Sequence, residues 1–96
     1  MIPQLLNYAK LTSDEPYGWA PFVRDKDLKE GMVVFNKTLK EVSAQEGISF
    51  IDDVLNVDWK KDDFYDEGHF SPQGNKKFAE AVASYLKKNV LAQAVP

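Results

Sequence analysis

Apolar side chains recur at helical spacing in the first half of the chain. They are separated by four, three, four and three positions, and they are Leu28, Met32, Phe35, Leu39 and Val42. Because these steps match the turn of an α-helix, the pattern places the side chains on one stripe and predicts a helix. Asp27 and Glu30 are arranged like a capping box at its start, and Gly47 is suited to close it near Glu46.

A second periodic stretch predicts the last helix of the chain. Ser71 is suited to the N-cap, and Pro72 to the first helical position, where its missing N–H needs no partner. The predicted buried face has apolar residues at intervals of four and small residues beside them, namely Phe78, Val82, Leu86 and Val90, with Ala79 and Ala83. We expect residues 91–96 to be a frayed tail.

Residues 48–52, Ile-Ser-Phe-Ile-Asp, are rich in β-branched and aromatic side chains and follow the first helix after one glycine. This composition predicts a buried strand. A helix that leads directly into a strand is half of a crossover between parallel strands, so the predicted fold class is α/β, with one or more parallel strands flanked by helices. Chemistry in such sheets lies at the carboxyl ends of the strands, and Asp52 begins that edge.

The remaining segments are predicted to be mostly irregular. Residues 3–11 are compatible with a short helix that starts at Pro3. Residues 12–26 form a loop whose aromatic rings either pin it to the core or line a pocket for an acyl or glycosyl group; these rings are Tyr17, Trp19 and Phe22. Residues 53–65 form an acidic loop in which Trp59 and Phe64 are predicted to turn inward and hold the segment that follows.

Composition narrows the classes of function. Ninety-six residues with 44% hydrophobic and 12% aromatic content indicate one packed domain over residues 1–96. The net charge of −3, with acids and bases interspersed, gives no reason to expect nucleic acid or an anionic membrane as a partner, and no apolar run is long enough to span a membrane. The acidic loop fits no EF-hand pattern, so neither a metal nor a cofactor is predicted.

The clearest candidate chemistry lies between the acidic loop and the last helix. Asp66 and His69, the only histidine, are three positions apart, and Gly68 between them is expected to permit a tight turn. A carboxylate beside an imidazole fixes its tautomer and stabilises the imidazolium that forms during base catalysis. Activity carried by an unperturbed imidazole would rise between about pH 6 and 8. The alternative is a surface ion pair with no catalytic task.

This stretch resembles the last sequence block of the SGNH (GDSL-type) hydrolase family. Asp66-x-x-His69 is followed by Ser71-Pro72-x-Gly74-Asn75 and a closing helix, and the similarity continues upstream through Phe35-Asn36, Leu39 and residues 47–52, so that it covers residues 28–89. The resemblance implies a fragment of a three-layer flavodoxin-like fold. It also implies ester hydrolysis through an acyl-serine without a cofactor, with Asp66 and His69 as catalytic residues.

The family takes its nucleophile from an N-terminal Gly-Asp-Ser motif and its oxyanion donors from earlier segments, and this chain contains none of these motifs. The candidate serines are Ser13, Ser43, Ser49, Ser71 and Ser84, of which only Ser13, on a flexible loop, is expected to be able to reach His69. We therefore expect the C-terminal part of an SGNH-type serine esterase, nearly inert by itself. The alternative is a non-catalytic αβ module that self-associates through an unpaired strand edge, and a homo-oligomer is expected.

Overall fold

The computed structural model describes residues 1–15 and 19–91. Helix α1 spans Asp25–Gln45, helix α2 spans Pro72–Leu86, and α2 continues into a π-helical turn over Lys87–Leu91. Three short 3₁₀-helical turns complete the regular structure, at Tyr8–Lys10, Asp52–Val54 and Lys61–Asp63. No strand occurs in the described ranges, so the observed fold is a small all-helical domain.

The predicted α/β class, and with it the flavodoxin-like fragment, is therefore wrong. Residues 48–51 belong to no strand. The Met1 ammonium donates to the Ser49 carbonyl at 2.6 Å and the Met1 carbonyl accepts from the Ile51 N–H at 3.0 Å, while the Ile48 N–H donates to the Ser43 carbonyl of α1 at 2.8 Å. This pairing cannot lengthen into a ladder, because Pro3 has no N–H and the Gln4 peptide is bonded to a side chain instead. Asp52, the predicted strand end, begins a 3₁₀ turn.

That side chain is the buried amide of Asn36, in the middle of α1. Its Oδ1 accepts from the Gln4 N–H at 2.8 Å, and its Nδ2 donates to the Gln4 carbonyl at 2.8 Å. These paired bonds occupy the main-chain groups of Gln4, and the helix predicted over residues 3–11 is reduced to the Tyr8–Lys10 turn. About two turns further along α1, the hydroxyl of buried Ser43 donates to the Leu39 carbonyl at 2.7 Å and lies 3.1 Å from the Met1 sulfur.

The termini of α1 were predicted with different success. The helix begins at Asp25 rather than Asp27, and the residue before it, Arg24, makes no side-chain capping bond. The Asp25 carboxylate instead accepts from the Ser13 and Trp19 main-chain N–H groups, both at 3.0 Å, which ties the preceding loop to the helix. At the other end the prediction is confirmed, since the helix ends at Gln45 and Gly47 has the left-handed φ of +67° that favours glycine.

The predicted apolar stripe of α1 is only partly covered. Phe35 is 50% exposed and Val42 is 41% exposed, whereas the fully buried side chains of the helix are polar or charged: Asp25, Asn36 and Ser43. Polar contacts join α1 to the rest of the chain: hydrogen bonds to the N-terminal segment and to the loop before the helix, and an ion pair between Lys40 and Asp52 at 3.1 Å.

The start of α2 is confirmed, with Ser71 as N-cap accepting from the Gly74 N–H at 3.3 Å and Pro72 in the first position. The core forms where α2 meets the loop after residue 50, around Ile51, Val54 and Ala81, with Phe78, Val82 and Tyr85 packed against it. The predicted face is therefore right at Phe78 and Val82. It is wrong at Leu86, Val90, Ala79 and Ala83, which are exposed.

The molecule is thin. Its Cα atoms extend over 55 × 32 × 16 Å, with a radius of gyration of 15.4 Å. A compact chain of this length would have a radius of gyration of about 12.5 Å. No helix in residues 1–15 and 19–91 has the length and apolar character required to cross a bilayer.

Candidate active site

Asp66 and His69 lie on a tight loop between the last 3₁₀ turn and α2. Phe64 and Phe70 pair as an antiparallel bridge at its base. The Tyr65 N–H donates to the His69 carbonyl at 2.8 Å, and the Ser71 N–H donates to the Asp63 carbonyl at 2.9 Å. These main-chain bonds close the loop and leave its tip facing outward.

The two predicted site residues are brought together. His69 Nδ1 lies 2.9 Å from Asp66 Oδ2 and 3.0 Å from Oδ1, and Oδ1 also accepts from the main-chain N–H groups of Gly68 and His69, both at 2.8 Å. The Gly68 N–H, the His69 ring and the His69 N–H together lower the pKa of the Asp66 carboxyl. Because the ionised carboxylate accepts hydrogen bonds only, it favours the tautomer with the proton on Nδ1, which leaves Nε2 as the basic nitrogen.

The loop is anchored from below by Asn7, which the sequence reasoning missed. Its N–H donates to the Glu67 carbonyl at 2.8 Å, and its Nδ2 donates to the carbonyls of Lys61 and Asp66 at 3.1 and 3.3 Å. Asn7 is almost fully buried. The sequence signal that could have identified Asn7 is its position directly after two leucines. A polar side chain in such an apolar run, when buried, has its hydrogen bonds satisfied by other parts of the chain.

Aromatic rings support the loop, as predicted for Trp59 and Phe64. Trp59 stacks on Phe70 with ring centroids 5.2 Å apart, and Phe70 lies 5.1 Å from Phe64 and 5.4 Å from Phe78 of α2. Phe64 is buried, and the indole N–H of Trp59 donates to the Val54 carbonyl at 2.9 Å. The inward packing of both rings is therefore confirmed, and Phe70 connects the loop to the helix.

A buried carboxylate, Asp63, joins the base of the loop to α2. It accepts from Lys77 Nζ, Gln73 Nε2 and the Lys60 main-chain N–H, each at 2.7 Å. Burial on its own would raise the pKa of Asp63, but these bonds outweigh it and lower the pKa to about 2. Helix α2 approaches the base of the loop so closely at Gly74 that a Cβ atom there would overlap the Asp63 carbonyl.

The outer side of the loop faces Trp19. A Cβ atom on Gly68 would lie 3.5 Å from the Trp19 ring and 3.7 Å from Leu6, which are ordinary contacts, and Gly68 does not have a left-handed φ. The turn therefore does not depend on glycine at this position, contrary to expectation. Of the other aromatic residues predicted to anchor this region, Phe22 is 80% exposed and Tyr17 lies outside the described residues.

No serine in residues 1–15 and 19–91 is hydrogen-bonded to the imidazole. Within the described ranges, the hydrogen bonds of the His69 ring run to Asp66 alone, and its side chain is 79% exposed. Ser43 is a buried residue of α1, and Ser71 uses its hydroxyl to cap α2 and to donate to the Asp62 carbonyl at 2.7 Å. Ser13, the serine expected to reach the ring, instead accepts from the Glu15 N–H at 3.1 Å.

The Asp66–His69 pair offers one basic ring nitrogen, Nε2, for proton transfer. Among the described residues, no group of three or more His, Cys, Asp or Glu side chains is placed to hold a metal ion. Comparison with protein-family models, curated proteins and solved structures finds no match to this chain. The assignment of a function therefore depends on the geometry of the loop and on the sequence motif.

Proposed function

We propose that Asp66 and His69 are the acid and base partners of a serine esterase of the SGNH type, and that the serine lies on polypeptide beyond these residues. The observation that carries the proposal is the bond between the Asp66 carboxylate and His69 Nδ1, at 2.9 and 3.0 Å. A proton held on Nδ1 leaves Nε2 as the basic nitrogen, which is the atom that takes the hydroxyl proton in a triad. The Asp-x-x-His block and the helix start after it support the same assignment.

The proposed reaction uses this pair twice. Nε2 takes the proton of the serine hydroxyl while the oxygen attacks the ester carbonyl, and Asp66 stabilises the imidazolium. The imidazolium then returns the proton to the departing alcohol. In the second half, His69 removes a proton from water as the water oxygen attacks the acyl-serine. The imidazolium then returns that proton to the serine oxygen as the acyl–oxygen bond breaks, which releases the acid and restores the free serine.

The hydrogen bonds of Ser13, Ser43 and Ser71 to other groups support a nucleophile from another segment. Without its nucleophile, a triad loses turnover on the order of 10⁶-fold. We expect p-nitrophenyl acetate turnover by the isolated chain to be close to the uncatalysed rate, and unchanged by His69→Ala. Turnover that is substantial in this chain and lost in His69→Ala would mean that copies of the chain complete a site among themselves.

The catalytic role is tested in the protein that carries the serine. The DNA upstream of Met1 is read for an in-frame Gly-Asp-Ser segment, and the encoded protein is assayed with p-nitrophenyl acetate. We expect rapid turnover that falls by at least about 10³-fold in His69→Ala. Equal turnover by the wild type and His69→Ala would reject the proposal, and exposed Lys76→Ala serves as the control.

A second candidate is a non-catalytic module that self-associates. The observation in its favour is exposed apolar surface on α1, where Val33 and Val34 are 66% and 63% exposed. The strand edge expected for this contact is absent from residues 48–52, so the outer face of α1 would carry it. Sedimentation equilibrium with Val34→Lys tests this alternative, which requires a dimer that dissociates in the variant.

A further inference from the structure

Tyr65 is an exposed aromatic residue on the loop that carries His69. It is 69% exposed, and within residues 1–15 and 19–91 its hydroxyl makes no hydrogen bond and its ring stacks on no other ring. The residue before it, Phe64, is buried in the aromatic cluster that supports the loop. Because the Tyr65 ring buries little apolar surface, it adds little to the stability of the fold.

The main chain places the side chains of Tyr65 and His69 on the same side of the loop. Phe64 and Phe70 face each other across the antiparallel bridge, and Tyr65 and His69 are the next facing pair, joined from the Tyr65 N–H to the His69 carbonyl at 2.8 Å. Facing residues of an antiparallel pair direct their side chains to one face, with Cβ atoms about 5 Å apart, and their chain neighbours to the other. Exposure follows this alternation, since Phe64 is buried and Phe70 partly buried, whereas Tyr65 and His69 are exposed.

The proposed reaction determines which part of an ester lies beside His69. Asp66 occupies Nδ1, so Nε2 both takes the proton of the serine hydroxyl and returns it to the oxygen of the departing alcohol. That oxygen must lie within hydrogen-bond reach of Nε2 when the ester bond breaks, while the acyl group stays on the serine. A side chain that shares a face of the loop with the imidazole is therefore placed to contact the alcohol.

We infer that Tyr65 contacts the alcohol part of the ester and favours alcohols with a flat apolar face, which an aryl ring or the C–H face of a sugar ring provides. The tyrosine ring offers a flat apolar surface that stacks against such a group, and its exposure leaves that surface accessible. A small alkyl alcohol gains little from the ring. The inference rests on the proposed function and names the substrate class of the same site.

The placement of the two side chains is tested by NMR of this chain. We expect nuclear Overhauser effects between the side-chain protons of Tyr65 and His69, because facing side chains of an antiparallel pair are close neighbours. The absence of any such effect would overturn the inference, since the ring would then lie away from the imidazole.

Selectivity is tested in the protein that carries the serine, with three acetates that differ in their alcohol: benzyl acetate, an acetylated methyl glucoside and ethyl acetate. In Tyr65→Ala, we expect kcat/KM to fall about 3- to 10-fold for the benzyl ester, the sugar ester or both, and to change less than about 2-fold for ethyl acetate. The ester that loses rate distinguishes an aryl from a sugar alcohol. Tyr65→Phe keeps the ring and should keep the selectivity, and Glu67→Gln on the same loop is the control.

The outcome for ethyl acetate separates the inference from the proposed function. If its turnover falls in His69→Ala, but Tyr65→Ala lowers kcat/KM for none of the acetates or for all three equally, the inference is overturned and the proposed function stands. If its turnover is the same in the wild type and His69→Ala, the proposed function fails and the inference fails with it.

Discussion

At the scale of single residues, the site depends on how many hydrogen bonds one carboxylate accepts. Asp66 Oδ1 accepts from two main-chain N–H groups and lies near the imidazole, while Oδ2 is within 2.9 Å of Nδ1. Main-chain donors fix the carboxylate, and the carboxylate fixes the ring. The conformation of the loop therefore determines where the Asp66 carboxylate lies, and the carboxylate in turn determines the orientation of the His69 ring.

Asp66→Asn tests this order, because an amide can present an NH₂ group to Nδ1 and so reverse the preferred tautomer. We expect the ¹⁵N spectrum of the neutral His69 ring to show the proton on Nδ1 in the wild type and a shift toward Nε2 in the variant. Glu67→Gln is the control, since its side chain makes no bond to the ring. Identical tautomers in wild type and Asp66→Asn would show that the carboxylate does not position the base.

Asp63 should make stability depend on acid pH. Its pKa falls from an ordinary 3.8 to about 2 in the folded protein, so its contribution is complete above pH 3.8 and disappears as the pH drops toward 2. In urea unfolding, Asp63→Asn should lose stability at pH 6 and show a flatter profile between pH 4 and 2. Exposed Asp62→Asn should keep the wild-type profile, and an equally steep profile in Asp63→Asn would contradict this assignment.

At the scale of elements, the features that could be predicted from the sequence are those that depend on residues close together in the chain. Both helices are found because periodic apolar residues mark them, with Gly47 after the end of α1 and Ser71 at the start of α2. Asp66 and His69 meet because three positions of one loop separate them. The strand at residues 48–52 was wrong because a strand needs a partner ladder, which composition does not reveal. Asn7 was missed because its bonds reach carbonyls 54 and 59 positions away.

The close approach of α2 to the loop makes opposite predictions for two glycines. Gly74→Ala would force a Cβ atom into the Asp63 carbonyl, so we expect about 1–3 kcal/mol of destabilisation in urea unfolding. Gly68→Ala would make only ordinary contacts, so its stability should stay within about 0.5 kcal/mol of the wild type. Equal effects of the two substitutions would show that the helix does not approach Asp63 as described.

Asn7 should control the mobility of the loop. Asn7→Ala leaves the Asp66 carbonyl without its side-chain donor and the Lys61 carbonyl with the Phe64 N–H alone, at a cost of about 1–3 kcal/mol. Hydrogen exchange of the amides of Gly68 and His69 should accelerate in the variant. The control is exposed Asn56→Ala, and unchanged exchange in Asn7→Ala would mean that other contacts hold the loop.

At the scale of the whole molecule, the described chain buries little apolar surface for its length. Phe35, Val33 and Val34 are at least half exposed on α1, and the Cα atoms span only 16 Å in the thinnest direction. Large exposed apolar surfaces mark interaction sites, and these side chains of α1 form such a surface. Under the proposed function, an imidazole that is bonded to Asp66 alone within the described ranges is the arrangement expected of a partial site.

The most direct measurement is the rate at which a fluorophosphonate labels the serine in the protein that contains both the serine segment and this chain. The account predicts rapid labelling that slows by about 10³-fold or more in His69→Ala, and by a smaller factor in Asp66→Asn, because the reagent reacts only with a serine activated by its base. Labelling that is equally fast in the wild type and His69→Ala would contradict it.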